Sequence, residues 1–166
     1  ATIANRGWYI TPHFVKKISD DSIQIKFREK KYSTINSKHY EKIIDGMFDV
    51  IEKGTARNSK IRDIKIVGKT GTAENFTKIN GIRRQLTDHS IFIGFAPKDD
   101  PKIAIAVFIE NGYWGTRWAA PIASLMMEKY LKKNIERKYL ENYILKGDLS
   151  KEYLKPYGNG NFTINE

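Results

Sequence analysis

The chain has no cysteine, and only five of its 166 residues are proline. No uninterrupted apolar run approaches the roughly 18 residues that a membrane-spanning helix needs. The lack of cysteine excludes disulfides, a thiolate nucleophile and zinc–thiolate centres. It leaves the compartment open, because oxidising compartments also hold cysteine-free proteins. Acidic residues are in deficit, 19 against 29 Lys and Arg, for a net charge of +10. Such a balance favours anionic surroundings, but the basic residues are scattered, as on a solvated surface. Trp8, Trp114 and Trp118 are irregularly spaced and the RNA-binding aromatic signature is missing, so no nucleic-acid partner is expected. There is no initiator Met and no signal peptide; the chain opens at Ala1, which suggests a piece of a longer protein.

What is present suits one globular domain. The hydrophobic fraction is 40%, with 8 Phe, 9 Tyr and 3 Trp, enough for a real core. Ala1 to Arg6 reads as the last turns of a helix stopped by Gly7, followed by an extended entry through Thr11-Pro12-His13. Alternation at Ile23, Ile25 and Phe27 predicts a short strand over 22–27, with a turn at Asp20-Asp21. Ile43, Ile44, Met47, Phe48 and Ile51 share one helical face over 37–53, with Ser37 as N-cap and Gly54 just past the end.

Three strands follow, over 64–74, 89–96 and 103–110, the last two close enough for an antiparallel hairpin. Asn75 to Asp88 is polar and too long for a tight turn, and reads as a loop over a functional edge. Pro121 suits the first turn of a helix reaching Lys133, and a second amphipathic stretch runs from Ile135 to Lys146. The tail from Leu149 shows little periodicity and reads as a loosely attached arm. The expected fold is α+β, an antiparallel sheet with packed helices. Its core candidates are Ile66, Ile91, Ile93, Phe95, Ile105, Val107, Ile109, Leu125 and Met126.

The residues richest in chemistry are Lys69-Thr70-Gly71-Thr72-Ala73-Glu74, which continue the apolar run Ile64 to Val67. A lysine, two hydroxyls and a glycine on a strand form a cradle for a carboxylate: charge, directed donors and close backbone approach. A phosphate-binding loop is excluded, because position 63 is Asp where that motif needs Gly, and the pattern stays extended after Lys69. His13, His39 and His89 show no metal-ligand spacing, so neither metal nor cofactor is expected. His89 opens the strand after the lysine strand and could line the same cleft.

In this order the chain resembles the C-terminal part of a penicillin-binding protein transpeptidase domain, of the class B, elongation-type penicillin-binding protein 2 group. The resemblance covers residues 1 to 133. It rests on Ala4-Asn5-Arg6-Gly7 with Thr11-Pro12-His13, then on Gly68 to Glu74 and on Asp88-His89-Ser90-Ile91-Phe92-Ile93-Gly94-Phe95-Ala96-Pro97. Ile105-Ala106-Val107, Glu110-Asn111-Gly112 and Ala119-Ala120-Pro121 complete it. Residues 134–166 would form a C-terminal helix and loosely packed tail.

The family's motif set is Ser-x-x-Lys, Ser-x-Asn and Lys-Thr-Gly. No serine here has Lys three positions on or Asn two positions on, so only the third motif is present. The other two lie N-terminal to the matched region in the family, and the resemblance therefore implies a truncated chain. It implies a partial transpeptidase fold, and a parent enzyme that acylates a serine with the D-alanyl-D-alanine end of a peptidoglycan stem peptide. The parent then passes that acyl group to a neighbouring stem, and β-lactams trap its serine. By motif position Lys69 would supply positive potential, Thr70 and Thr72 the hydroxyls for a carboxylate, and the Thr72 N–H one oxyanion donor. Gly71, Ala73, Glu74 and His89 would line the same substrate site.

The parent would be a periplasmic domain of an inner-membrane-anchored protein, partnered by a membrane-embedded glycosyltransferase of the elongation machinery. The alternative is a non-catalytic module that binds peptide or glycan in the Lys69 cleft.

Overall fold

A computed structural model describes residues 1–15, 17 and 23–154. The predicted Asp20-Asp21 turn and the tail from Lys155 lie outside the described residues. The three alternating runs form one antiparallel sheet in the order β3–β6–β7, with β3 at Val67–Ala73, β6 at His89–Ala96 and β7 at Ile103–Ile109. Two small ribbons stand apart. One pairs β1 (Trp8–Ile10) with β2 (Lys30–Tyr32), and the other pairs β4 (Phe76–Ile79) with β5 (Ile82–Gln85).

Register decides which side chains share a face, because directly opposed residues of antiparallel strands point the same way. Thr70 stands opposite Phe92 and Phe92 opposite Val107; Thr72 stands opposite Ser90 and Ser90 opposite Ile109. Those ranks lie under helix α2 (Ala119–Lys132). Ala119, Ala120, Ala123 and Met127 of α2 pack with Phe92 and Ala96, all without exposure. The alanines let the helix come close to the sheet, and Phe92 fills the space between. The opposite face carries the ranks Val67–Phe95–Ala104, Lys69–Ile93–Ala106 and Gly71–Ile91–Phe108. Among the described residues only its Val67–Phe95 end is covered, by Ala4 and by Tyr40, Ile44 and Met47 of α1 (Lys38–Glu52).

Among the core candidates, Ile66, Phe95 and Leu125 are buried, and Ile105, Val107 and Ile109 pack against the α2 cluster. Ile93 and Met126 are exposed, at 43% and 53%. Ile93 falls on the uncovered sheet face and Met126 on the outer side of α2. Apolar character alone does not say which face of an element is covered.

Three local expectations are corrected. Over 22–27 the described residues hold a single 3-10 turn, Ile25–Phe27, instead of a strand, so the brief alternation has no ladder partner there. Ala1 to Arg6 makes hydrogen-bonded turns without a continuous helix, and Arg6 turns left-handed at φ 55°. Ser37 takes the N-cap position of α1 without a capping hydroxyl bond; the Asn36 side chain accepts from the Lys38 N–H at 3.1 Å instead.

Beyond α2, helix α3 (Lys138–Leu145) is anchored by buried Leu140 and by Tyr143 stacked on Trp118, ring centres 5.3 Å apart. Glu128 of α2 is 1% exposed and accepts from Arg137 Nε at 3.0 Å. Arg137 also donates to the Ser59 and Lys60 carbonyls and to Ser124 Oγ, so the buried carboxylate is paired within a network. A last short helix, α4 (Ser150–Leu154), returns to the sheet, where Thr87 Oγ1 donates to Glu152 at 2.6 Å.

Candidate functional site

Strand β3 is an edge strand, paired with β6 and with no second strand among the described residues. The backbone groups directed away from β6 are thus available for an added peptide. Lys69 is exposed, and its Nζ donates to the Thr70 carbonyl at 2.7 Å. Thr70 and Thr72 lie two apart on the face opposite Lys69, as alternation requires. Thr70 is half-buried, and its hydroxyl meets the Thr55 hydroxyl at 3.1 Å. Thr72 is exposed and Gly71 is half-buried between them. Ala73 stands opposite His89, and Glu74 is exposed with Arg83 Nη2 3.5 Å from its carboxylate.

The region holds the motif strand from behind through residues to which the sequence assigns no role. Gly115 lies so close to the sheet that a Cβ there would stand 2.3 Å from the Ile91 carbonyl oxygen and 2.8 Å from that of Gly71. Any side chain at 115 would therefore push on the backbone of the motif itself. Ser90 sits opposite Thr72 and ties this loop down: its hydroxyl donates to the Trp114 carbonyl at 2.9 Å and accepts from the Ala119 N–H at 3.1 Å. The start of α2 and the Trp114 loop are thus fixed to one buried hydroxyl on β6, the strand that pairs with the motif strand. Gly115 and Ser90 act across the sheet, at sequence distances that no local pattern signals.

The segment Asn75 to Asp88, read from sequence as a loop, is a β-hairpin. Its tip, Asn80-Gly81, has φ of 52° and 77°, the pair of positive values that a tight two-residue turn demands. The hairpin is fastened at its base. Asn75 Nδ2 donates to Asn111 Oδ1 at 2.7 Å and to the Thr87 carbonyl at 3.2 Å. Gln85 Nε2 donates to the Asn75 carbonyl at 2.9 Å and to Asp88 Oδ1 at 3.2 Å. Asn111 is 6% exposed and its N–H donates to His89 Nδ1 at 3.2 Å. That bond puts the proton of a neutral His89 on Nε2. The His89 ring rests beside Phe108, centres 5.0 Å apart.

The face bearing Lys69 opens onto a cavity of about 780 Å³, lined by Ile3, Phe14, Met47, Ile93, Phe95 and Ala106 among others. A strand carrying a lysine and two hydroxyls, beside an apolar recess, can hold a carboxylate-terminated chain and present donors to it.

Comparison with known proteins agrees with this geometry. Residues 1–128 match the family described as "Penicillin binding protein transpeptidase domain". The peptidoglycan D,D-transpeptidase MrdA of Acinetobacter baumannii is 36% identical over 171 residues, covering 94% of this chain and 25% of that protein. Penicillin-binding protein A of M. tuberculosis, solved as a ceftriaxone acyl-enzyme complex, superposes with a TM-score of 0.64 at 32% identity, over 78% of this chain and 30% of the other. Pseudomonas aeruginosa PBP2, in complex with WCK 5153, gives 0.62 at 29% identity, over 83% and 30%. The chain spans about a quarter of the length of the curated relatives it matches. With its α+β architecture, its antiparallel sheet and its Lys-Thr-Gly edge strand, the chain belongs to the penicillin-binding protein transpeptidase domain family.

Proposed function

We propose that this chain is the third-motif portion of a serine D,D-transpeptidase that cross-links peptidoglycan stem peptides and is acylated by β-lactams. The observation that carries this reading is the free β3 edge, with Lys69 on one face, Thr70 and Thr72 on the other, and an apolar recess on the Lys69 side. In this reading the Thr70 and Thr72 hydroxyls take the terminal carboxylate of a D-alanyl-D-alanine peptide or a β-lactam. Lys69 contributes positive potential. The Thr72 N–H is one oxyanion donor, with the second supplied by the N–H of a serine in the preceding half of the domain. Preorganised donors of this kind act where negative charge develops, and losing one costs on the order of 10² to 10³ in rate. Gly71, Ala73, Glu74 and His89 line the path of the bound peptide.

The nucleophile and the Ser-x-Asn motif belong, on this reading, to a longer parent, with the open recess as the seat of its preceding half. The parent is a periplasmic domain on an inner-membrane anchor, working with the membrane-embedded glycosyltransferase of the elongation machinery. Residues 1–133 form the end of its transpeptidase domain and 134–166 a C-terminal extension.

The test is covalent labelling. The 166-residue chain incubated with a fluorescent penicillin keeps its unmodified intact mass, because it has no nucleophile motif. The parent gains one adduct, and Lys69→Ala in the parent abolishes it without lowering the melting temperature appreciably. An adduct on the chain alone, or normal acylation of the Lys69→Ala parent, contradicts the assignment.

A further inference from the structure

We propose that one face of the β4–β5 hairpin is a binding site for carboxylates carried by the donor peptide well upstream of its D-alanyl-D-alanine end. This rests on the donor-binding role of β3 and adds a second recognition element to it. Between Phe76 and Gln85 the hairpin holds three cations, Lys78, Arg83 and Arg84, and no acid. Lys78 stands directly opposite Arg83, a like-charge cross-strand pair that disfavours the ribbon unless an anion lies over it. Phe76 and Gln85 share that face, while Thr77, Ile79, Ile82 and Arg84 lie on the other.

The face is organised as well as charged. The Arg83 guanidinium lies over the Phe76 ring, 4.2 Å from its centre. A guanidinium resting on an aromatic ring offers its fork of N–H donors at reduced entropic cost. Its anionic neighbour, Glu74, is exposed and 3.5 Å away, a loose contact that an incoming carboxylate can replace. Lys78 makes no ion pair among the described residues. The base is pinned by Asn75, Gln85, Asp88 and Asn111, so the face keeps a set relation to the end of β3.

The path of the peptide follows from burial. Val67 and Gly68, upstream of the motif, are buried, so a chain whose carboxylate rests on Thr70 and Thr72 leaves past Ala73 and Glu74. Phe76, beneath the Arg83 guanidinium, stands four residues beyond Thr72, at most roughly 13 Å along the chain, and Lys78 six residues beyond, at most roughly 20 Å. A group that meets Arg83 is thus about four residues from the carboxyl end and one that meets Lys78 up to about six, where D-alanine is no longer the ligand. Carboxylates there are complementary to this face.

The experiment uses the parent enzyme and two synthetic donors, both ending in D-alanyl-D-alanine with a free terminal carboxylate. One carries a side-chain carboxylate about four residues upstream and the other its amide. The double variant Lys78→Gln with Arg83→Gln is compared with wild type, with Arg84→Gln as the other-face control. D-Alanine release and the fluorescent-penicillin acylation rate are measured. The double variant is expected to lose about three- to tenfold in kcat/KM on the carboxylate donor, the scale of two partly exposed charge pairs. It should change less than twofold on the amide donor, on penicillin, and in Arg84→Gln. Equal losses on both donors, no loss on either, or an equal effect of Arg84→Gln would overturn the proposal. Failure of wild-type parent to react with penicillin would instead overturn the transpeptidase reading.

Discussion

Phe92 is fully buried beneath α2, while its neighbour on β6, Ile93, keeps 43% of its surface on the opposite face. On the first face a helix with three alanines lies against the sheet and the apolar ranks are closed. On the second, α1 covers only the Val67–Phe95 end and leaves Ile93 and Ala106, which share a rank with Lys69, beside a recess. The closed face holds the strands in register; the open face leaves the Ile93 and Ala106 ranks beside an unfilled space. Position and stability are thus carried by different sides of the same three strands.

Substitution on the closed face should have the largest effect. Phe92→Ala is expected to cost about 4 kcal/mol in urea unfolding of the isolated chain, the range for deleting a buried aromatic. Next comes Gly115→Ala, which forces a methyl against the Ile91 and Gly71 backbones. Overpacking of this kind costs about 1–3 kcal/mol, and in the parent it should also slow penicillin acylation because the strain falls on the motif. Unchanged stability and acylation would mean that the loop yields freely and does not position β3.

Ile93→Ala should cost about 1 kcal/mol or less in the isolated chain, well below the 2–5 kcal/mol of a fully buried site. If the recess is covered in the parent, the same substitution there moves into the buried range; an equal small loss in both would show that the recess stays open. The smallest effect is electrostatic and belongs to the α2 side. A hydrogen bond from Lys132 holds the Asp63 carboxyl below the usual carboxylate range. A depressed folded pKa stabilises above the unfolded value of about 3.9 and loses that contribution as pH falls through the folded value. The unfolding midpoints of wild type and Asp63→Asn should therefore differ slightly at neutral pH and converge on acidification below about pH 4.

Strands β6 and β7 and helices α1 and α2 were legible because each carries several apolar residues at its own period and ends at a turn residue. The motif strand was legible for its chemistry, and the ordered segments after it carried the family. Length and polarity disguise the hairpin as a loop, and its one local signal is the Asn80-Gly81 pair, whose positive φ values make the turn. Periodicity puts Ile93 and Met126 on an apolar face without naming what covers it. Gly115, Ser90 and Thr55 support the motif from other parts of the chain, and contacts of that kind leave no local pattern to read.

The polar base of the hairpin has a mechanical consequence. Asn75 is bonded at once to the Thr87 carbonyl and to Asn111, and its own N–H and carbonyl meet the Asp88 carboxylate and the Leu86 N–H. The ribbon is therefore a lever clamped at one end, with its free tip at Asn80-Gly81. A load on the tip cannot be absorbed by bending at a slack hinge. It arrives as torque on the last residues of β3 and the first of β6, where Thr72 stands opposite Ser90.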